Sequence, residues 1–183
     1  MTKLALDKLF SPRSIAVVGA SERPEAIGTR VIRNLRLMGF PGAIYPVNPR
    51  YSTLCELTCY PSLVALPETV DAAFFGIPAI GGPELLAQAA DVGIGAVFIN
   101  ANGYADGDAA GQALQRELTR IARVRNIAVA GPNNLGLINV LDGKAMWTPR
   151  YFSPVTPGPV AVISQSGSIA LILSEDERKL GFA

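Results

Sequence analysis

Six loops in this chain carry residue types with chemistry to offer. The first, Gly19-Ala-Ser-Glu-Arg-Pro-Glu-Ala-Ile-Gly28-Thr29, joins a short apolar run to an amphipathic one. A helix starting at Gly28 would present free N–H groups and about half a positive charge, which suits a phosphate. Gly19 allows a tight turn, and Ser21, Arg23 and Thr29 add side-chain donors, so a pyrophosphate is the natural guest. The loop does not have the Gly-x-Gly-x-x-Gly form, and the signal is weak by itself. Ser164-Gln-Ser-Gly-Ser168 repeats the same physics further on. Ser164, Ser166 and Gly167 would form a second anion site at a helix start, with ordinary N-capping as the plain alternative for the serines.

The loop Tyr45-Pro-Val-Asn-Pro-Arg50 bears on which nucleotide binds. A site for NAD needs an acid at the end of the second strand to accept bonds from the ribose hydroxyls. Val47, Asn48 and Arg50 stand there instead. A cation favours a ribose that carries an extra phosphate, as in NADP or in the 3′-phospho-ADP of coenzyme A, and both stay open at this point. The plain alternative is that Asn48-Pro49 merely turns the chain. Two loops with uncharged amides follow, Asn100-Ala-Asn-Gly-Tyr104 and Gly131-Pro-Asn-Asn-Leu-Gly136, and Ile77-Pro78-Ala79 completes the set. Asn100, Asn133 and Asn134 suit an amide-rich ligand arm, or equally a loop that binds its own backbone.

Composition excludes much else. No histidine occurs among the 183 residues, so the chain by itself holds no Ser-His-Asp triad, no His-ligated metal and no phosphohistidine. Sixteen basic and fifteen acidic residues leave a net charge of +1, with no field to attract nucleic acid or an anionic membrane. Cys55 and Cys59 are too few for a disulfide scaffold or a structural zinc site and read as reduced thiols. Lys3, Asp7 and Lys8 break any apolar run at the start, so no signal peptide is expected. Prolines and Gly167 interrupt the uncharged stretch 151–174, so no membrane span is expected either. The expectation is a cytoplasmic protein whose partner is a small molecule.

The elements that must position these loops alternate along the chain. Apolar runs at 15–20, 43–47, 72–77, 96–99 and 127–130 read as strands, bounded by Gly and Pro. Between them, Val31, Ile32, Leu35 and Met38 share one helical face, Pro83 opens a helix carrying Leu85, Leu86 and Ala89, and a third helix runs from Asp108 to Arg125. Arg116, Arg120 and Arg123 on that helix read as a solvated face opposite its apolar stripe. Strands apolar throughout, alternating with amphipathic helices, predict an α/β fold, a Rossmann-like doubly wound parallel sheet. Its ligands bind beyond the carboxyl ends of the strands, which every loop named above leaves. Residues 137–158 read as a connection, and Val160-Ala-Val-Ile163 with a helix from Gly167 reads as the first βα unit of a second, flavodoxin-like domain. The expected division is 1–150 and 151–183.

Six segments in register resemble the CoA-binding domain of the NDP-forming acyl-CoA synthetases, the superfamily that includes the succinyl-CoA synthetase alpha subunit. They are Leu9-Phe-Ser-Pro-Arg-Ser-Ile-Ala-Val-Val-Gly-Ala-Ser21, Tyr45-Pro-Val-Asn-Pro49, Tyr60-Pro-Ser-Leu63, Leu66-Pro-Glu-Thr-Val-Asp71, Gly131-Pro-Asn-Asn-Leu-Gly-Leu-Ile-Asn139 and Val162-Ile-Ser-Gln-Ser-Gly167. The resemblance implies a coenzyme A ligand and an acid–thiol ligase parent that interconverts acyl-CoA, phosphate and a nucleoside diphosphate with acid, coenzyme A and the triphosphate. It implies that Ser21 and Arg23 hold phosphates of coenzyme A, Asn48 and Arg50 its ribose-phosphate end, and Ile77 and Pro78 its adenine. Ser166 and Gly167 would lie in the helix start facing a phosphohistidine loop. That histidine, the rest of the ligase domain and an ATP-grasp domain would lie elsewhere in the parent or on a partner subunit, and the chain alone would not turn over. The family pattern Gly-Pro-Asn-Cys carries Asn134 here in place of its cysteine. Two other classes stay in view: a fragment of an NADP-dependent oxidoreductase, and a non-catalytic CoA sensor or acetyltransferase-associated module.

Overall fold

Alternate residues of each inner strand enter different cores. In β1 (Ser14–Val18), Ile15 and Val17 pack with Val31, Ile32 and Leu35, while Ala16 and Val18 pack with Leu86, Leu118 and Ile121. Phe74 and Phe75 of β5 (Ala72–Phe75) divide the same way, as do Phe98 and its neighbours Val97 and Ile99 in β6 (Ala96–Ile99). Burial of each such side chain stabilises by about 1.5–3 kcal/mol. These are the contacts that unbroken apolar strands anticipate, since a parallel sheet is covered on both faces.

The computed structural model describes residues 3–150, 156–175 and 181–182. Five parallel strands form its sheet in the order β2-β1-β5-β6-β7, where β2 is Ala43–Val47 and β7 is Ala128–Ala130. This is the 2-1-3-4-5 order of a doubly wound fold. Helices α1 (Lys3–Phe10) and α2 (Ile27–Leu37) cover one face, and α3 (Gly82–Asp91) and α4 (Ala109–Arg125) the other. The ends of α4 follow local chemistry. Asp108 caps it by accepting from the Gly111 N–H at 3.0 Å, and Asn126 ends it in the left-handed region. Its arginine face is a solvated one, with Arg120 bidentate to Glu117 at 2.7 and 2.8 Å.

Four features depart from the sequence expectations. Helix α1 was not anticipated; eight residues with Lys3, Asp7 and Lys8 showed only a short apolar stripe, and Ala5 and Leu9 alone are buried. A two-residue hairpin, β3 (Thr53–Leu54) and β4 (Leu57–Thr58), follows β2, with Cys55 and Glu56 in left-handed conformations at its tip. Residues 137–158, expected as a connection, contain a second antiparallel hairpin, β8 (Gly136–Asn139) and β9 (Lys144–Trp147), which packs on α2. Lys144 hid it, since a charge in an apolar strand reads as a break. The amine is buried because it donates to Ser11 Oγ at 2.6 Å and to Asp142 at 3.2 Å. Lastly, the strand expected at 160–163 lies earlier, as β10 (Pro157–Val160), which bridges to Phe182 in place of extending toward Ile163; α5 (Gly167–Ser174) follows as expected. The boundary expected between 150 and 151 adjoins residues 151–155, outside the described residues.

The order of the strands reverses between β1 and β5, because β1 continues to β2 on one side and the chain returns to β5 on the other. The two strands leave the sheet here through glycines in close approach. The Gly76 N–H donates to the Val18 carbonyl at 2.9 Å, and Gly19 turns away at φ +89° with its α-carbon against the Gly76 carbonyl. A Cβ on Gly19 would collide with that oxygen. Gly19→Ala is therefore expected to cost about 3 kcal/mol or more, combining positive-φ strain with a backbone clash. That is a fall of roughly 6–12 °C in thermal midpoint for a chain of this size, read by calorimetry.

The second hairpin is fastened to the end of α1 by an ionic knot. The Ser11 hydroxyl donates to Asp142 at 2.6 Å, and Lys144 and Asn139 donate to the same carboxylate. The Ser11 bond first, and then Lys144, holds the Asp142 carboxyl below the usual carboxylate range. A depressed folded-state value stabilises above the unfolded value of about 4 and is lost as pH falls through the folded one. On acidification from pH 6 to pH 3 the wild type should lose more thermal stability than Asp142→Asn does; parallel losses would contradict the knot.

Candidate functional site

The cleft lies where the strand order reverses. It is a cavity of about 460 Å³ lined by Ile27, Gly76, Ile77, Pro78, Asn100, Ala101, Asn102 and Asn133. Four of these, Ile77, Pro78, Asn100 and Asn133, are residues the sequence singled out. Ile27, Gly76, Ala101 and Asn102 are not, and for three of them the signal was adjacency to a residue already chosen. Gly76 was hidden inside the expected strand 72–77; β5 in fact ends at Phe75, which frees Gly76 for the floor of the cleft.

The first loop meets this cleft through the start of α2. Gly28 presses on the loop so closely that an added Cβ would stand 2.6 Å from the Ala20 nitrogen. Thr29 clamps the loop from the first turn of the helix: its hydroxyl donates to the Ser21 carbonyl at 2.5 Å, and the Ser21 N–H donates to it at 3.1 Å. Ser21 is thus held by its backbone, and its own hydroxyl, fully buried, has no hydrogen-bond partner. An unpaired buried hydroxyl costs about 1–3 kcal/mol. Arg23 on the same loop is exposed, and its guanidinium makes no ion pair among the described residues.

The loop after β2 is tied to the first. The Gly19 N–H donates to the Val47 carbonyl at 3.2 Å, which places Val47, nearly fully buried, beneath the crossing. Asn48 donates its side-chain amide to the Ala20 carbonyl at 2.8 Å, and its side-chain oxygen accepts from the Arg50 N–H at 3.0 Å. Both ends of that amide are therefore engaged within the protein. Arg50 is exposed, with its guanidinium unpaired among the described residues.

On the far side, the asparagines divide by role. Asn100 donates to the Asn134 carbonyl at 2.9 Å, and the Asn134 side chain accepts from the Gly136 N–H at 2.6 Å. Asn134 does not line the cleft, and holds the turn that leads into β8. Asn133 does line it, in a left-handed conformation, with its N–H on the Ala101 carbonyl at 2.9 Å. Asp106 braces this wall by accepting from the N–H groups of Tyr104 and Gly103. Those bonds, Tyr104 first, hold its carboxyl below the ordinary range. Thr148 donates twice to the Leu135 carbonyl at 2.8 Å and so anchors the hairpin under the same turn.

Ser164, Ser166 and Gly167 stand apart from the cleft walls. Ser166 caps α5 by accepting from the Ile169 N–H at 3.4 Å, and Ser164 bonds the backbone of Ser166. Gly167 is joined to the rest through Leu135, against which a Cβ would stand at 2.6 Å. Both serine hydroxyls are thus engaged in shaping the turn.

The lining is apolar and amide-bearing, and none of its side chains is charged. Among the described residues no group of His, Cys, Asp or Glu could hold a metal ion, and no helix is long and apolar enough to cross a membrane. Amides run along the cleft, and the exposed Arg23 and Arg50 stand on the two loops tied together beside it.

The chain is 37% identical over 163 residues to the ADP-forming acetate–CoA ligase II of Archaeoglobus fulgidus, covering 88% of this chain and 24% of that protein. It is 33% identical to the alpha subunit of the ADP-forming acetate–CoA ligase I of Pyrococcus furiosus, across 93% of this chain and 37% of the subunit. Among solved structures, the apo form of acetyl-coenzyme A synthetase 1 from Ca. Korarchaeum cryptofilum superposes with a TM-score of 0.88 at 32% identity, over 97% of this chain and 38% of that one. The chain spans about a quarter of the length of the single-chain relatives it matches. The CoA binding domain family matches residues 13–139, and the chain belongs to that family.

Proposed function

We propose that the chain is the coenzyme A-holding domain of an NDP-forming acyl-CoA synthetase, an acid–thiol ligase, and that the cleft at the β1–β5 crossing is where the ligand lies. The observation that carries this reading is the amide-walled cleft at the β1–β5 crossing, entered by the first turn of α2, against which the loop of Ser21 is clamped with its buried hydroxyl unpaired. On this reading a rotation of the Ser21 side chain turns its hydroxyl out to a phosphate oxygen, the acceptor it lacks, and the N–H groups of the first turn add to it. Arg23 and Arg50 are free to meet further phosphates. Ile77 and Pro78 give an apolar bed for adenine, and Asn100, Asn102 and Asn133 suit the amides of a pantetheine arm.

Coenzyme A supplies the thiol that carries the acyl group. On this reading the chain's residues fix the ends of the ligand so that the thiol is presented in one place. With no histidine in the chain, carboxylate activation belongs to ligase and ATP-grasp domains in the parent or on a partner subunit. Ser164, Ser166 and Gly167 would border a phosphate there, at the start of α5. Free Cys55 and Cys59 fit a reducing, cytoplasmic setting.

Thermal denaturation with coenzyme A, at a hundredfold excess over its dissociation constant, should show about 2.7 kcal/mol of added stability. NADP under the same conditions should add none; stabilisation by NADP alone would overturn the reading. Ser21→Ala separates ligand from fold. Removing an unpaired buried hydroxyl should leave the free chain as stable or more so, while coenzyme A binds about tenfold more weakly by calorimetry. Unchanged affinity would remove Ser21 from the site.

A further inference from the structure

Asn48 is the most heavily bonded residue of the rim. Its N–H donates to the Tyr60 carbonyl at 2.9 Å, its carbonyl accepts from the Cys59 thiol at 3.6 Å, and its side chain spans from Ala20 to the Arg50 N–H. The backbone bonds seat it on the β3–β4 hairpin, which returns the chain beside β2. The side-chain bonds then do two different things at once. One pins the loop that carries Ser21, and the other closes an Asx turn that sets the direction in which Arg50 leaves the chain.

Every polar atom of Asn48 already bonds within the protein, and those bonds fix where its amide lies. We propose that Asn48 is a positioning residue, not a ligand contact: its amide fixes Arg50 relative to the phosphate loop, and through Arg50 it sets the preference for a nucleotide bearing a 3′-phosphate. The inference rests on the coenzyme A reading above and deepens it. The residue type follows from the geometry. Alanine supplies neither bond. Aspartate keeps the acceptor for Arg50 but sets an anion against the Ala20 carbonyl. Serine accepts from Arg50 and is too short to reach Ala20.

Arg50 is otherwise a flexible side chain in water, and an unfixed guanidinium loses rotamer freedom when it engages an anion. A turn that already sets its backbone lowers that cost, which is the general advantage of preorganisation. The part that acts through Arg50 belongs to the 3′-phosphate and shows as a ratio of affinities for two ligands, on top of any loss that both share through the Ser21 loop.

The test is calorimetric titration of the chain with coenzyme A and with 3′-dephospho-coenzyme A. Wild type should prefer coenzyme A by about tenfold or more, the worth of one charge-assisted contact. Arg50→Ala and Asn48→Ala should each bring the ratio to within about twofold of unity, and the double variant should go no lower. Circular dichroism checks that each variant is folded. Should Asn48→Ala not fold, Asn48→Ser must give a ratio between those of wild type and Arg50→Ala. A wild-type ratio in the Asn48 variants, equal weakening of both ligands, or a wild-type ratio in Arg50→Ala overturns the proposal. Wild type binding neither ligand overturns the coenzyme A reading itself.

Discussion

Everything at the candidate site depends on how closely two strand ends pass each other. Parallel strands β1 and β5 are hydrogen-bonded neighbours, yet their chains diverge to opposite sides of the sheet. Divergence of that kind opens a crevice beyond the carboxyl ends. Here the crevice keeps its shape because Gly19 and Gly76 meet backbone to backbone, where no side chain could fit. That contact brings the first turn of α2 against the loop at Ala20 and lets Gly76 floor the cleft. The loop of Ser21 and the amide-lined cleft are thereby neighbours on one framework.

From this constraint follows a division of labour among polar groups. Asn48, Asn134, Thr29, Thr148 and Asp106 all direct their bonds at the protein's own backbone. Ser21, Arg23 and Arg50 are left with capacity to spare. Such an arrangement holds the loops rigid through the protein's own bonds and leaves a few groups unspent. This is the character that the proposed function asks for, with the reactive chemistry left to the ligand and to groups supplied from elsewhere.

The sheet was legible in the sequence because strands covered on both faces are apolar throughout, and Ile15–Val18, Ala72–Phe75 and Ala96–Ile99 satisfy that without exception. The helices were legible through their stripes and the Asp108 cap. What was hidden depended on tertiary pairing. The hairpin of β8 and β9 carries Lys144, whose burial makes sense only beside Ser11, 133 residues away in sequence. A cleft does lie at the carboxyl ends of the strands, where topology makes the loops of adjacent parallel strands converge. The roles of individual asparagines were not legible. An amide at a turn looks the same in sequence whether it faces a ligand, as Asn133 does the cleft, or its own backbone, as Asn48 and Asn134 do.

A structure of the chain crystallised with coenzyme A would test the central claim most directly. The pyrophosphate should lie within hydrogen-bond distance of Ser21 Oγ and the first turn of α2, with the pantetheine arm running past Asn100 and Asn133. Coenzyme A bound at saturating concentration anywhere else, with the β1–β5 crossing empty and the Ser21 hydroxyl still unpaired, would contradict it.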